Sequence, residues 1–205
     1  MKMSIFRRIL HKIGQIIQSI GNWIGSHKQN IVYALLIMSA SIYFIYTLGY
    51  SSNWAMIVSE TRATNFYRAS QQVNRLIAQL GFILVVISLF TLAFGSLTRK
   101  KFYLSNIVLS ILASLLLIFS SIITFYYNSV LRVMYANITE VEVPAYLYAT
   151  HGAGKKSFMV FDLGYFVTGF MMIVAIMLIV FLTRKLIAQK QRVKLIEKLV
   201  NANEH

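Results

Sequence analysis

The sequence predicts an all-α integral membrane protein with four transmembrane helices, an N-terminal interfacial amphipathic helix and a small exoplasmic β-hairpin. Three observations carry that fold class. Of 205 residues, 58% are hydrophobic and only 13% are charged, about half the charged share of a soluble domain. Four long runs carry no charge at all, at 29–59, 76–98, Phe102–Leu131 and Leu163–Thr183. The net charge of +14, from 20 Lys and Arg against six Asp and Glu, gathers around the chain ends and one short loop. The wealth of aromatic and branched residues excludes a disordered chain. The absence of cysteine removes disulfides, thiolate metal sites and cysteine nucleophiles together.

Each element follows in chain order. In residues 1–29, Phe6, Ile9, Leu10, Ile13, Ile16, Ile17, Ile20, Trp23 and Ile24 recur at the spacing of one helical face. Lys2, Arg7, Arg8, His11 and Lys12 stand opposite. A basic face against Ile and aromatic residues describes a helix lying on an anionic leaflet, with Arg7, Arg8, Lys12 and Trp23 at the membrane surface. Span one covers about 31–50. Its apolar run exceeds a signal peptide's core and no A-x-A site follows, so it is expected to remain as an anchor. Outer loop 51–75 contains Trp54, an interface anchor or a partner contact, then a polar stretch from Ser59 to Arg75 that reads as helix running into span two.

Span two covers about 76–97 and span three about 105–127. Each has the roughly 20 apolar residues that a ~30 Å hydrocarbon core requires. The third charge-free run overshoots that length, and its excess is expected to project beyond the outer surface. Outer loop 128–161 follows. Within it Thr139-Glu140-Val141-Glu142-Val143 alternates polar and apolar, Pro144 interrupts, and His151-Gly152-Ala153-Gly154 offers a turn before Lys155 and Lys156. This pattern predicts a hairpin with Glu140 and Glu142 opposite Lys155 and Lys156. Span four covers about 162–183. The tail 184–205 continues it as a basic helix, with Leu186, Val193, Ile196, Leu199 and Val200 at helical spacing.

Lys and Arg counts orient the spans. Residues 1–30, the 99–101 loop and the tail hold 14 basic residues and two acidic ones. The outer segments hold six basic and four acidic residues. Both termini are therefore expected in the cytoplasm. The cysteine-free outer loops lean toward a bacterial cell membrane.

Tests for chemistry leave little. Lys155-Lys156-Ser157 lacks the Gly-Lys-Ser/Thr order of a phosphate loop, and position 149 is Ala. The four histidines are scattered, without metal-ligand spacing. No catalytic residue, cofactor or metal is expected, and topology accounts for the basic charge without nucleic acid. The acidic residue nearest a span is Asp162, at the head of span four. It is either a helix cap or a contact for a ligand, ion or partner. Gly81, Gly164 and Gly169, with Ser110 and Ser114, are the small residues expected at helix–helix contacts, and the glycines suggest that spans two and four touch.

The four-span outline with two outer loops is similar to claudin-like and tetraspanin-like proteins in topology alone. Both families carry paired cysteines in an outer loop and this chain has none, so no function transfers. By subtraction, the expected role is a non-enzymatic accessory or scaffold subunit. It would dock a protein partner, or further copies of itself, through the hairpin and the basic amphipathic helices. The alternative is a transport or channel component with Asp162 and the span-three serines Ser110, Ser114 and Ser121 along a polar path.

Overall fold

The computed structural model describes residues 29–49, 64–96, 104–137 and 158–203. These residues form four α-helices and, among them, no strand. We number the helices α1 (Gln29–Gly49), α2 (Thr64–Ser96), α3 (Leu104–Ala136) and α4 (Met159–Asn203). All four are long and apolar enough to cross a membrane. The N-terminal amphipathic helix and the hairpin expected from the sequence lie outside the described residues.

The helices alternate in direction. At one end Gln29, at the start of α1, meets Gly95 at the end of α2 and Lys185 late in α4. At the other end Tyr46 of α1 meets Asn128 of α3 and Val160 of α4. The start of α1 and the late part of α4 therefore share a side of the bundle, called here the termini end.

The buried faces repeat every three and four residues. On α1 the face is Tyr33, Leu36, Ala40, Tyr43 and Thr47, and on α2 it is Phe66, Ser70, Val73, Ile77, Leu80, Leu84, Ser88 and Thr91. On α4 it runs through Phe161, Thr168, Met171, Ala175, Leu178 and Leu182. Alternating steps of three and four keep one seam against a neighbour, the packing of antiparallel bundles with shallow crossing angles.

α3 departs most from a soluble helix. Of its 11 buried residues seven are Ser, Thr or Asn, whereas Leu104, Val108, Leu115, Phe119 and Ile122 point outward. Lipid tails are as apolar as leucine, so apolar burial gives no drive for helix association. Close backbone approach and interhelical hydrogen bonds provide it instead, and small polar residues supply both.

Three helices outrun their charge-free segments: α3 continues past Leu131 to Ala136, and α2 and α4 go further. α2 begins at Thr64, twelve residues ahead of the apolar run. α4 has 45 residues, about 68 Å at 1.5 Å per residue, more than twice a ~30 Å core. Its side chains are exposed from Ile187 to Glu197 and again at Leu199. The final turns of α4 thus project beyond the packed bundle.

Candidate functional site

Four features stand out. The first is a polar junction at the end opposite the termini. Asn128 is buried in α3 and donates from Nδ2 to the Phe161 carbonyl at 2.7 Å. The Tyr46 hydroxyl of α1 stands 3.5 Å from both Asn128 Oδ1 and the Val160 carbonyl. Carbonyls early in a helix normally bond within it, so these are second acceptor sites. Gly164 leaves the room for this: a Cβ there would lie 2.9 Å from Asn128 Nδ2 and 3.0 Å from Tyr46 Cζ.

Next to the junction is an ion pair. Arg132 Nη2 and Asp162 Oδ1 are 3.4 Å apart, with both side chains well exposed. The Arg132 guanidinium lies 5.5 Å from the Phe158 ring centre and 5.8 Å from that of Tyr165, within cation–π range. Asp162 stands in the first turn of α4, where its charge suits the helix dipole. It is not the cap, because the Phe158 carbonyl receives the Phe161 and Asp162 amides at 3.0 and 3.1 Å and so closes the first turn.

The second feature is a groove of about 570 Å³ between α3 and α4, open to the outer face of the bundle. Phe125, Tyr126 and Tyr165 wall it, and Gly169 forms part of its floor. Ser129 and Tyr165 share a hydrogen bond of 3.0 Å at its rim. A third feature, at the termini end, is a groove of about 480 Å³ between α1 and α4, with Arg184 and Lys185 on its lining. Here Gln29 donates to the Gly95 carbonyl at 2.7 Å and accepts from Lys185. Gly95 sits directly against the Tyr33 ring, with 2.8 Å from a Cβ there to Tyr33 Cζ. The fourth feature is the projecting end of α4.

The residues singled out from the sequence fall into three groups. Gly164 joins the polar junction beside Asp162. Gly81 packs on α1, where a Cβ would lie 3.3 Å from Phe44 Cδ2 and 3.4 Å from Thr47 Oγ1. These two glycines therefore seat α1 and do not join α2 to α4. Gly169 has open space around it, so it is a groove floor rather than a helix contact. Ser110 and Ser114 are buried in the bundle, and Ser114 bonds back to the Ser110 carbonyl at 2.8 Å. Ser121 crosses to the Thr168 carbonyl of α4 at 2.8 Å. Trp54, Glu140, Glu142, Lys155, Lys156, Arg7, Arg8, Lys12 and Trp23 lie outside the described residues.

Sequence reasoning passed over Arg132, Asn128, Tyr46, Gln29 and Lys185. Arg132 carried the one available signal, since it is the charge that ends the third run and it precedes Asp162 by 30 residues across a single loop. Among the described residues no three of His, Cys, Asp and Glu come together as a metal site would require.

Fold and site together define a four-helix bundle with the architecture of a multi-pass membrane protein, its helices tied by polar contacts from Gln29, Tyr43, Tyr46, Ser121 and Asn128. Comparison of the chain with protein-family models, with curated proteins and with solved structures finds no match.

Proposed function

We propose that the protein is a non-enzymatic multi-pass membrane protein that serves as an accessory or scaffold subunit of a larger membrane complex. The observation carrying this reading is the far end of α4. Val193, Ile196 and Leu199 are 51%, 61% and 66% exposed and share that end with Lys190, Arg192 and Lys194. Because they continue the helix that crosses the bundle, they lead away from the bilayer and cannot lie on it. An apolar stripe held off the membrane is completed by another protein's helix or groove, and the basic flanks suit an acidic one.

On this reading the amphipathic segment 1–29, with Arg7, Arg8, Lys12 and Trp23, rests on the anionic lipid of the inner leaflet. The segment around Glu140, Glu142, Lys155 and Lys156 offers an outer contact together with Trp54. The distribution of basic residues supports a cell-membrane protein with both termini in the cytoplasm, and the cysteine-free outer segments support a bacterial one.

The test places a photocrosslinking residue at Val193 in the full-length protein in native membranes. A discrete protein adduct is expected, and it should be lost when Ile196 and Leu199 are both changed to Gln while thermal stability holds. A protein that purifies in mild detergent as a lone monomer and forms no adduct overturns the reading.

A further inference from the structure

We infer that the groove between α1 and α4 at the termini end is a binding site for an anionic phospholipid, its acyl chain along the groove and its phosphate against Arg184 and Lys185. The argument begins with shape. Val32 of α1 and Ile176, Met177 and Val180 of α4 line the apolar length of the groove. The three α4 residues are 55%, 40% and 44% exposed, so the groove opens sideways to lipid. From Ile176 to Lys185 is about 13 Å along the helix at 1.5 Å per residue. That is close to the depth of one leaflet, half of a ~30 Å core. A chain lying in the groove therefore reaches the headgroup level where Arg184 and Lys185 stand.

Charge supplies the second argument. The acidic side chains of the described residues are Asp162 and Glu197. Asp162 faces Arg132 at the opposite end, and Glu197 lies twelve residues beyond Lys185, about 18 Å along the helix. Arg184 has no carboxylate partner among the described residues. Its planar fork matches a phosphate with two parallel hydrogen bonds.

The third argument is preorganisation. Lys185 is tied to Gln29 and through it to the Gly95 carbonyl, and its ammonium sits 5.5 Å from the Phe181 ring centre. Phe181 is in turn held edge-on to Tyr33 at 6.1 Å. Residues of three helices thus fix one cation beside the groove, and binding sacrifices little side-chain freedom there. Basic pockets between transmembrane helices are a recurrent way to hold anionic headgroups. The site is independent of the projecting end of α4, so it stands whether or not the scaffold reading does.

The experiment uses the full-length protein in mild detergent, with bound lipid measured by native mass spectrometry. Dioleoyl phosphatidylglycerol, the phosphatidylcholine of the same chains, and inorganic phosphate are added in turn. Phosphatidylglycerol is expected to bind in preference to phosphatidylcholine, and inorganic phosphate should not displace it. Arg184→Gln should weaken phosphatidylglycerol binding about fivefold, and Val180→Trp, which fills the open groove, should abolish it. Arg75→Gln, an equal loss of charge on exposed α2, should leave it unchanged. Equal binding of the two lipids, displacement by phosphate, no effect of either groove variant, or an equal effect of Arg75→Gln each overturns the proposal.

Discussion

Two glycines on one helix respond in opposite directions to the same added methyl group. At Gly164 a Cβ meets Tyr46 and Asn128, both buried, with 2.9 Å to Asn128 Nδ2. Gly164→Ala must displace the amide that donates to the Phe161 carbonyl. Overpacking of a filled site costs about 2 kcal/mol, and a lost interhelical hydrogen bond in a membrane protein costs a further ~0.6. The gain in helix propensity, ~1 kcal/mol, offsets part of this. The net is a destabilisation of about 1.5 kcal/mol, summed from these three contributions. At Gly169 nothing lies within 4 Å of the added Cβ, so Gly169→Ala keeps only the propensity gain and is stabilised by up to ~1 kcal/mol. Reversible unfolding of the full-length protein in mixed detergent micelles reads the difference. If the two variants agree within about 0.5 kcal/mol, the ordinary scatter of exposed substitutions, the packing assigned to Gly164 is refuted.

Further measurements test other levels of the bundle. Tyr43 and Thr124 share a buried hydroxyl contact of 2.8 Å. A double-mutant cycle of Tyr43→Phe with Thr124→Val should give a coupling of ~0.6 kcal/mol, and no more than ~1.7. The exposed Arg132–Asp162 pair should give under ~1 kcal/mol in a cycle of Arg132→Gln with Asp162→Asn, falling as salt is raised; a larger, salt-insensitive coupling would show the pair to be shielded from solvent. The chain has no cysteine, so single-cysteine variants report topology directly. With both termini cytoplasmic, Glu142→Cys should react with a membrane-impermeant maleimide on intact cells, and Lys28→Cys and His205→Cys only after permeabilisation.

The four helices were legible because a charge is so costly in hydrocarbon that runs between charges mark the spans. Which face each span buries was harder to read, since neighbours and lipid are both apolar. In α3 the sign of the usual rule inverts. Ser110, Ser114, Ser121, Thr124 and Asn128 face inward while Leu104, Leu112 and Leu115 face out, so small polar residues, more than apolar ones, mark the seam. The glycine pair carried a signal of its own. Gly164 and Gly169 are five residues apart, and at 3.6 residues per turn that places them about 140° apart around α4. They could not both serve one helix contact. Arg132 was hidden for another reason: α3 runs on to Ala136, past the segment that length alone assigns to the membrane, and only that overshoot brings it level with Asp162.

The polar contacts fall at successive heights and each ties different helices. Near the termini Gln29 binds α1 to the end of α2 and to α4. Further along, Tyr43 ties α1 to α3 and Ser121 ties α3 to α4. At the opposite end Asn128 and Tyr46 join α1, α3 and α4. A single such bond is worth under ~1 kcal/mol, too little to hold the bundle. A slide of one helix turn, about 5.4 Å, would break several at once and carry their polar groups to new, unmatched positions in hydrocarbon. The contacts therefore fix register more than they add stability, and α1, which contributes to three of the four, acts as the key. A bundle locked in this way presents a fixed outer surface. Its two open grooves and its projecting helix keep constant positions relative to one another, as the proposed scaffold role would require.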